Sequence, residues 1–265
     1  MRKLSCLARS ITSVAMVAGL ATGLAGCQTT GMGDLTGSLG GRSQFAANDP
    51  RRGLEAANER YQSNPKDPAA AMAYGEALRG IGQRSQAVAV LEKASIANPG
   101  NKKLLAAYGR ALADAGNFQM AFETLSNAHS PENPDWHILS VQGTVLDQMG
   151  RHDEARRYYA SALNLAPGEP SVLSNLGMSY VLTRELPKAE QSLRQAYASG
   201  RADARVRQNL ALVIGLQGRF NEAADIARAD LPPDEAAANV AYLKQMLNDR
   251  SAVPADRRVL ASDRS

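Results

Sequence analysis

The chain has 265 residues, of which 44 % are hydrophobic and 21 % charged, the balance of a folded chain rather than a disordered one. Aromatic residues make up only 5 % and Ala and Leu far outnumber β-branched residues, which favours helices and excludes a β-sandwich or barrel. The formal net charge of +4 is carried largely by Arg2, Lys3 and Arg9; the rest holds 27 basic against 26 acidic side chains, which gives no electrostatic ground for binding nucleic acid.

In chain order, the three N-terminal bases precede an uncharged run of 17 residues, Ser10 to Gly26. That is short of the roughly 20 apolar residues of a membrane span and has the form of a secretory signal. It ends in Leu24-Ala25-Gly26-Cys27, which resembles the lipobox of bacterial lipoproteins at all four positions. The resemblance implies cleavage after residue 26, acylation of Cys27 by groups such as palmitate, and a protein held in the membrane by lipid alone. Cys6 leaves with the signal, so the mature chain has no thiol for a disulfide, a nucleophile or a metal site. Gln28 follows the cysteine; in enteric lipoproteins the absence of Asp there implies the outer membrane. Residues 27–50 carry Gly31, Gly33, Gly37, Gly40 and Gly41 with no apolar periodicity, and are expected to form a flexible tether with a reach of roughly 25–30 Å.

From residue 68 onward one period dominates. Gly75, Gly109, Gly143, Gly177 and Ala211 are 34 residues apart, and so are Ala87, Ala121, Ala155, Ala189 and Ala223. Leu78, Leu112, Leu146, Tyr180 and Ile214 keep the period, as do Leu91, Leu125, Tyr159 and Leu193, and Ala94, Ala128, Ala162 and Ala196. Gly82, Gly116, Gly150 and Gly218 mark a turn, with Arg184 as the exception. Spacings of 3 and 4 within each unit predict two helices on either side of that turn. Asp67, Asn101, Asp135, Glu169 and Asp203 stand where N-caps belong, and Pro68 and Pro170 follow at the first helical position. The small residues in register predict close helix–helix contacts, because Gly in a helix interior costs about 1 kcal/mol without such a reason.

The pattern resembles the tetratricopeptide repeat. It implies an all-α solenoid of about five 34-residue helix pairs over 68–233, the last one degenerate where Ala227 and Asp230 replace a larger and a small residue. Residues 51–67 read as an N-terminal half-repeat, 234–247 as a C-terminal capping helix with Val240, Leu243 and Leu247 on one face, and 248–265 as a disordered tail.

No phosphate loop, nucleophile elbow or zinc-protease motif occurs, and His129, His137 and His152 have no metal-ligand spacing. The chain therefore reads as a non-enzyme without metal or cofactor. Trp136, in the first turn of a helix, is expected to pack on the preceding unit. In the repeat family the first helices line a concave surface. The matching positions here are Met72, Glu76, Arg79, Lys103, Arg110, Asp114, His137, Ser140, Thr144, Asp147, Ser174, Asn175, Met178, Arg205, Gln208 and Asn209. Their mixture of signs points to a solvated protein-binding groove, with Asp114 and Asp147 as neighbours in it. Met72 and Glu76 stand where related chaperone-tail receptors carry a Lys and an Asn for a terminal carboxylate, which disfavours that use.

The C-terminal third is similar to a narrower family. Arg205-Val-Arg-Gln-Asn-Leu-Ala-Leu, Gly218-Arg-Phe-Asn-Glu-Ala, Ala229-Asp-Leu-Pro-Pro and Asn239-Val-Ala-Tyr-Leu resemble the TadD lipoproteins of tight-adherence (Flp) pilus assembly. The start Gly26-Cys27-Gln28-Thr29-Thr30 is similar too. The resemblance implies a lipoprotein on the periplasmic face of the outer membrane that helps assemble a type IV-like pilus and its secretin, with the secretin and other assembly components as partners. It carries no catalytic residues. The alternative for a chain of this build is a periplasmic adaptor or regulator of a peptidoglycan hydrolase or protease.

Overall fold

The computed structural model describes residues 50–252; the lipobox and the tether up to residue 49 lie outside them. Within that range there are twelve helices and no β-strand. Helix α1 (Pro50–Ser63) is followed by five pairs: α2 (Pro68–Gly80) with α3 (Arg84–Ala97), α4 (Lys102–Asp114) with α5 (Phe118–Ser126), α6 (Trp136–Gln148) with α7 (His152–Leu165), α8 (Pro170–Leu182) with α9 (Leu186–Ala198), and α10 (Ala204–Leu216) with α11 (Phe220–Ala227). Helix α12 (Pro233–Ala252) closes the series. None of these helices is long and apolar enough to cross a membrane.

Local chemistry fixes the boundaries. Asp67 accepts hydrogen bonds from the Ala69 and Ala70 amides, Asn101 from Leu104, Asp135 from His137, Glu169 from Ser171 and Asp203 from Val206. Each satisfies a donor that the first turn leaves without an intrahelical partner. The turn between paired helices needs a left-handed residue, and Gly82, Gly116, Gly150 and Gly218 supply it with φ of 75 to 83°. In the fourth unit Arg184 takes that conformation, with φ of 63°. A Cβ there costs about 1 kcal/mol, which the packing of the unit absorbs.

Packing follows the 34-residue register. Ala87, Ala121, Ala155, Ala189 and Ala223 are completely buried, as are Leu91, Leu125, Tyr159 and Leu193 to within 1 %. These four large side chains lie against the helical glycines. A Cβ added at Gly75, Gly109, Gly143 or Gly177 would come within 2.6–2.7 Å of Leu91, Leu125, Tyr159 or Leu193 respectively. Each buried Leu contributes roughly 1.5–3 kcal/mol, and the glycine lets its helix come close enough to realise it. Trp136 is half-buried in the third-unit cluster with Phe122 of the preceding pair, and its ring stacks on His137.

The helices connect as B-(AB)5-A. Each first helix packs on its own second helix and on the second helix before it, and α2, α4, α6, α8, α10 and α12 also touch in succession. Second helices stand further apart and meet through side chains, as Phe122 with Tyr158 and Arg194 with Glu222. First helices therefore line the tighter, inner side. Helix α1 takes the place of a second helix packed on α2, and α12 that of a sixth first helix, packed on both α10 and α11. The irregular end of the fifth unit is accommodated: Ala227 is buried with Ala211 and Ala236, and Asp230 receives a bidentate ion pair from Arg207 at 2.5 and 2.7 Å. The last helix corrects the expected start of the tail. It continues through 248–252, because no proline or glycine interrupts the chain there. Residues 253–265 lie outside the described part.

Candidate functional site

The first helices bring the candidate groove residues onto one face, but the groove differs between its two halves. In the N-terminal half, α2, α4 and the segment from Ala128 to Ile138 enclose an open cleft of about 620 Å³. Its walls include Met72 and Glu76 from α2 and Lys103 and Arg110 from α4, with Ala73, Ala106, Ala107, Ala128 and Ile138 as a small, apolar lining. Lys102, His129, Asn133 and Asp135 complete the rim.

Charges in this cleft divide into engaged and free. Arg79 donates from Nη1 to Glu76 and from Nε to Asp114, both at 2.6 Å, so both carboxylates are already paired. Asp135 caps α6 and accepts from the His137 ring at 3.0 Å. Burial alone would raise its pKa, but the His137 hydrogen bonds prevail and hold it below the usual carboxylate value. Glu132 is likewise held low, first by a backbone hydrogen bond, then by Ser130, with a smaller attraction from Lys102. No hydrogen bond or ion pair joins the side chain of Lys103 or Arg110 to another group among the described residues. Under the cleft His129 Nε2 meets Gln142 Oε1 at 3.1 Å, and Gln142 Nε2 donates to Ser126 Oγ at 3.0 Å.

In the C-terminal half, three expected groove residues are not available to a partner. Asp147 is buried, and its carboxylate accepts from Tyr159 Oη at 2.9 Å and Ser179 Oγ at 2.8 Å and faces His152 Nδ1 at 2.9 Å. Burial and the neighbouring Asp147 push the Tyr159 hydroxyl well above its ordinary pKa, so it remains a donor. Asp147 is thus an internal anchor rather than a solvated neighbour of Asp114, which pairs with Arg79 instead. Ser140 and Ser174 are also buried, and accept from Asn175 Nδ2 at 3.1 Å and Asn209 Nδ2 at 3.0 Å. These bonds form a ladder between successive first helices, each joining residues 35 apart; the Arg79–Asp114 pair has the same offset. Thr144 is exposed, and its Oγ1 lies 3.3 Å from Tyr159 Oη, whose one hydrogen goes to Asp147. Met178 is half-buried, while Arg205 and Gln208 are exposed. Gln208 edges a separate 150 Å³ apolar recess between α10 and α12, with Leu212, Val240 and Leu243.

The sequence did contain a signal for the Asp147 network. The third unit has Tyr159 where the first, second and fourth have Leu91, Leu125 and Leu193, and Asp147 where the others have Arg79, Ala113, Val181 and Gly215. A hydroxyl and a carboxylate appear together because each satisfies the other. Gln142 carried a similar mark: it stands where the other units have Tyr74, Tyr108, Leu176 and Leu210. Among the described residues no group of three or more His, Cys, Asp or Glu is placed to hold a metal.

Comparison with known proteins agrees with this geometry. Tetratricopeptide-repeat family profiles match residues 75–135 and 146–213. These are tetratricopeptide repeats. The fold is similar to that of PilW, described as a widely conserved type IV pilus biogenesis factor: TM-score 0.63, 17 % identity, 74 % of this chain and 93 % of that one. It is also similar to the structure of the APC/C hetero-tetramer Cut9–Hcn1, with TM-score 0.59 and 17 % identity over 75 % of this chain; the match spans only 41 % of that chain. A thermophilic repeat protein of Thermus thermophilus matches over its full length and 68 % of this chain, with TM-score 0.59 and 22 % identity. At these identities the likeness is one of fold. No curated protein sequence matches the chain.

Proposed function

We propose that this protein is a non-catalytic scaffold for assembly of a tight-adherence (Flp, type IV-like) pilus and its secretin. It is held at the periplasmic face of the outer membrane by acyl groups on Cys27 and binds protein partners through its first helices. The observation that carries the proposal is the stretch from Arg205 to the end of the capping helix, which resembles TadD lipoproteins, in a chain that also has the Leu24-Ala25-Gly26-Cys27 lipobox. PilW offers a precedent for a solenoid of this kind in type IV pilus biogenesis. The physical form suits the role: a repeat solenoid offers an extended surface of fixed spacing, and its open cleft has unpaired cations rather than a reactive constellation.

The test is deletion of the gene followed by electron microscopy of the cell surface and an adherence assay. Loss of pili and adherence with normal growth and cell shape is expected. Cells that stay piliated and instead chain, or change their wall cross-linking, would overturn the proposal in favour of a hydrolase adaptor.

A further inference from the structure

We infer that the N-terminal cleft receives an extended acidic segment of a protein partner through side-chain carboxylates, held by Lys103 and Arg110. The inference rests on the proposal that first helices bind protein, and names the partner's chemistry at one place on them.

Three features of the cleft lead there. Its volume, about 620 Å³, has room for a few residues of a partner chain. Its small lining residues Ala73, Ala106 and Ala107 leave room for a peptide backbone to lie close to α2 and α4. Its free charge is positive. Glu76 and Asp135 are engaged by Arg79 and His137, and Lys102 sits in the field of Glu132, whereas the side chains of Lys103 and Arg110 have no partner among the described residues. Charge complementarity therefore selects carboxylates, and carboxylate on guanidinium is the stronger of the two pairings.

Spacing refines the ligand. Lys103 and Arg110 are seven residues apart on α4, about 10.5 Å along the helix at 1.5 Å per residue. A polyproline-II chain brings every third residue to the same face at about 9.3 Å. Acidic residues three apart in an extended segment thus meet both cations, whereas adjacent acids cannot.

Fluorescence anisotropy of the acylation-free chain (Cys27→Ala, lacking residues 1–26) would test this with a fluorescein-labelled, C-terminally amidated peptide of Asp-Ala-Ala repeats. Amidation removes the terminal carboxylate, and a Lys-Ala-Ala peptide bearing the same dye controls for the anionic label. Saturable binding is expected, weakened at least tenfold by Lys103→Glu with Arg110→Glu and by raising salt from 50 to 300 mM. Binding should survive Lys103→Arg with Arg110→Lys, and Arg205→Glu in the other half. A peptide of the same composition with its acids adjacent should bind several-fold more weakly. Circular dichroism checks that the variants are folded. Equal binding of a Lys-Ala-Ala peptide, no effect of the double charge reversal, or equal binding of a single-stranded oligonucleotide or of vesicles with 30 % phosphatidylglycerol would overturn the inference. The pilus proposal is judged separately, by the deletion: piliated deletion cells with specific peptide binding would sink that proposal and leave this one standing.

Discussion

Gly143 is where an added methyl group should do the most damage. A Cβ there would lie 2.6 Å from Tyr159 Cε1, 2.8 Å from Cζ and 2.9 Å from Cδ1, about 1 Å inside normal carbon–carbon contact. The ring cannot easily yield. Its residue is only 1 % exposed, and its hydroxyl is tied to Asp147 at 2.9 Å. Moving it aside therefore combines overpacking, about 1–3 kcal/mol, with weakening of a buried charge-assisted hydrogen bond, about 1–2 kcal/mol. Alanine's better helix propensity offsets about 1 kcal/mol of this. The expected net loss for Gly143→Ala is about 1–4 kcal/mol, or roughly 2–16 °C in melting temperature for about 200 folded residues.

The same change at Gly75 meets only the branched end of Leu91, at 2.7 Å, which can rotate, and should cost less. Gly53, within α1, has nothing within 4 Å of an added Cβ, so Gly53→Ala should stabilise by up to about 1 kcal/mol. Thermal melts followed by circular dichroism at 222 nm would rank the three. If Gly143→Ala melted at or above the parent, the close contact would not be what holds glycine at this register position.

Three further outcomes follow from the described contacts and the lipobox. Asp147→Ala should cost about 3 kcal/mol in urea unfolding, because it leaves the Tyr159 and Ser179 hydroxyls buried without their acceptor; a loss under about 1 kcal/mol would mean the residue is solvated after all. Glu190 has its pKa lowered to about 2, first by Arg219, against desolvation, and then by Arg194 and Gln217. Its contribution is complete above the unfolded-state value of about 4.3 and is lost as pH falls through about 2. Glu190→Gln should therefore destabilise by about 1–2 kcal/mol at pH 6, after allowance for screening, with the difference from the parent shrinking towards pH 2; a difference constant across that range would contradict the assignment. Cys27→Ala should abolish palmitate labelling and leave the precursor unprocessed, since stable anchoring needs the acyl chains; a variant that still labels would place the anchor elsewhere.

The fold was legible because the repeat was written in small residues. Gly or Ala at one position of each first helix, and Ala at one of each second helix, have a single structural cause, contact between paired helices, so their register fixes the pairing. Caps were legible for a similar reason: Asp, Asn and Glu recur where first turns have free donors. The candidate groove was less so. A 34-residue register says which helix face a side chain is on, but not how close the next first helix comes to it. Ser140, Ser174 and Asp147 are on the inner face and are nevertheless buried, because the neighbouring unit supplies Asn175, Asn209 and Ser179 at the matching height. Helix α12 eluded a pattern reading at its far end, since charged residues in 248–252 interrupt the apolar stripe without breaking the helix.

That burial also explains why the cleft opens where it does. The rung positions run Met72, Ala106, Ser140, Ser174 and Gln208, with Ala73, Ala107, Val141, Asn175 and Asn209 beside them. Where Ser faces Asn across the 35-residue offset, a hydrogen bond spans successive first helices and fills the space between them. In the first two units both rungs are occupied by Met72, Ala73, Ala106 and Ala107, which have no polar side-chain group to span the gap, and these four residues line the cleft. The one polar tie there, Arg79 to Asp114, is a full helical turn or more further along and leaves the gap open. The same substitutions that remove a ladder bond thus create a recess, and Lys103 and Arg110 bring uncompensated charge to it. Installing the ladder, with Ala106→Ser and Val141→Asn, should extend the C-terminal arrangement into the second and third units. If the rungs govern the opening, that variant should melt slightly higher and bind the acidic probe more weakly. If it binds equally well, the recess owes its width to the Ala128–Asp135 segment rather than to the rungs.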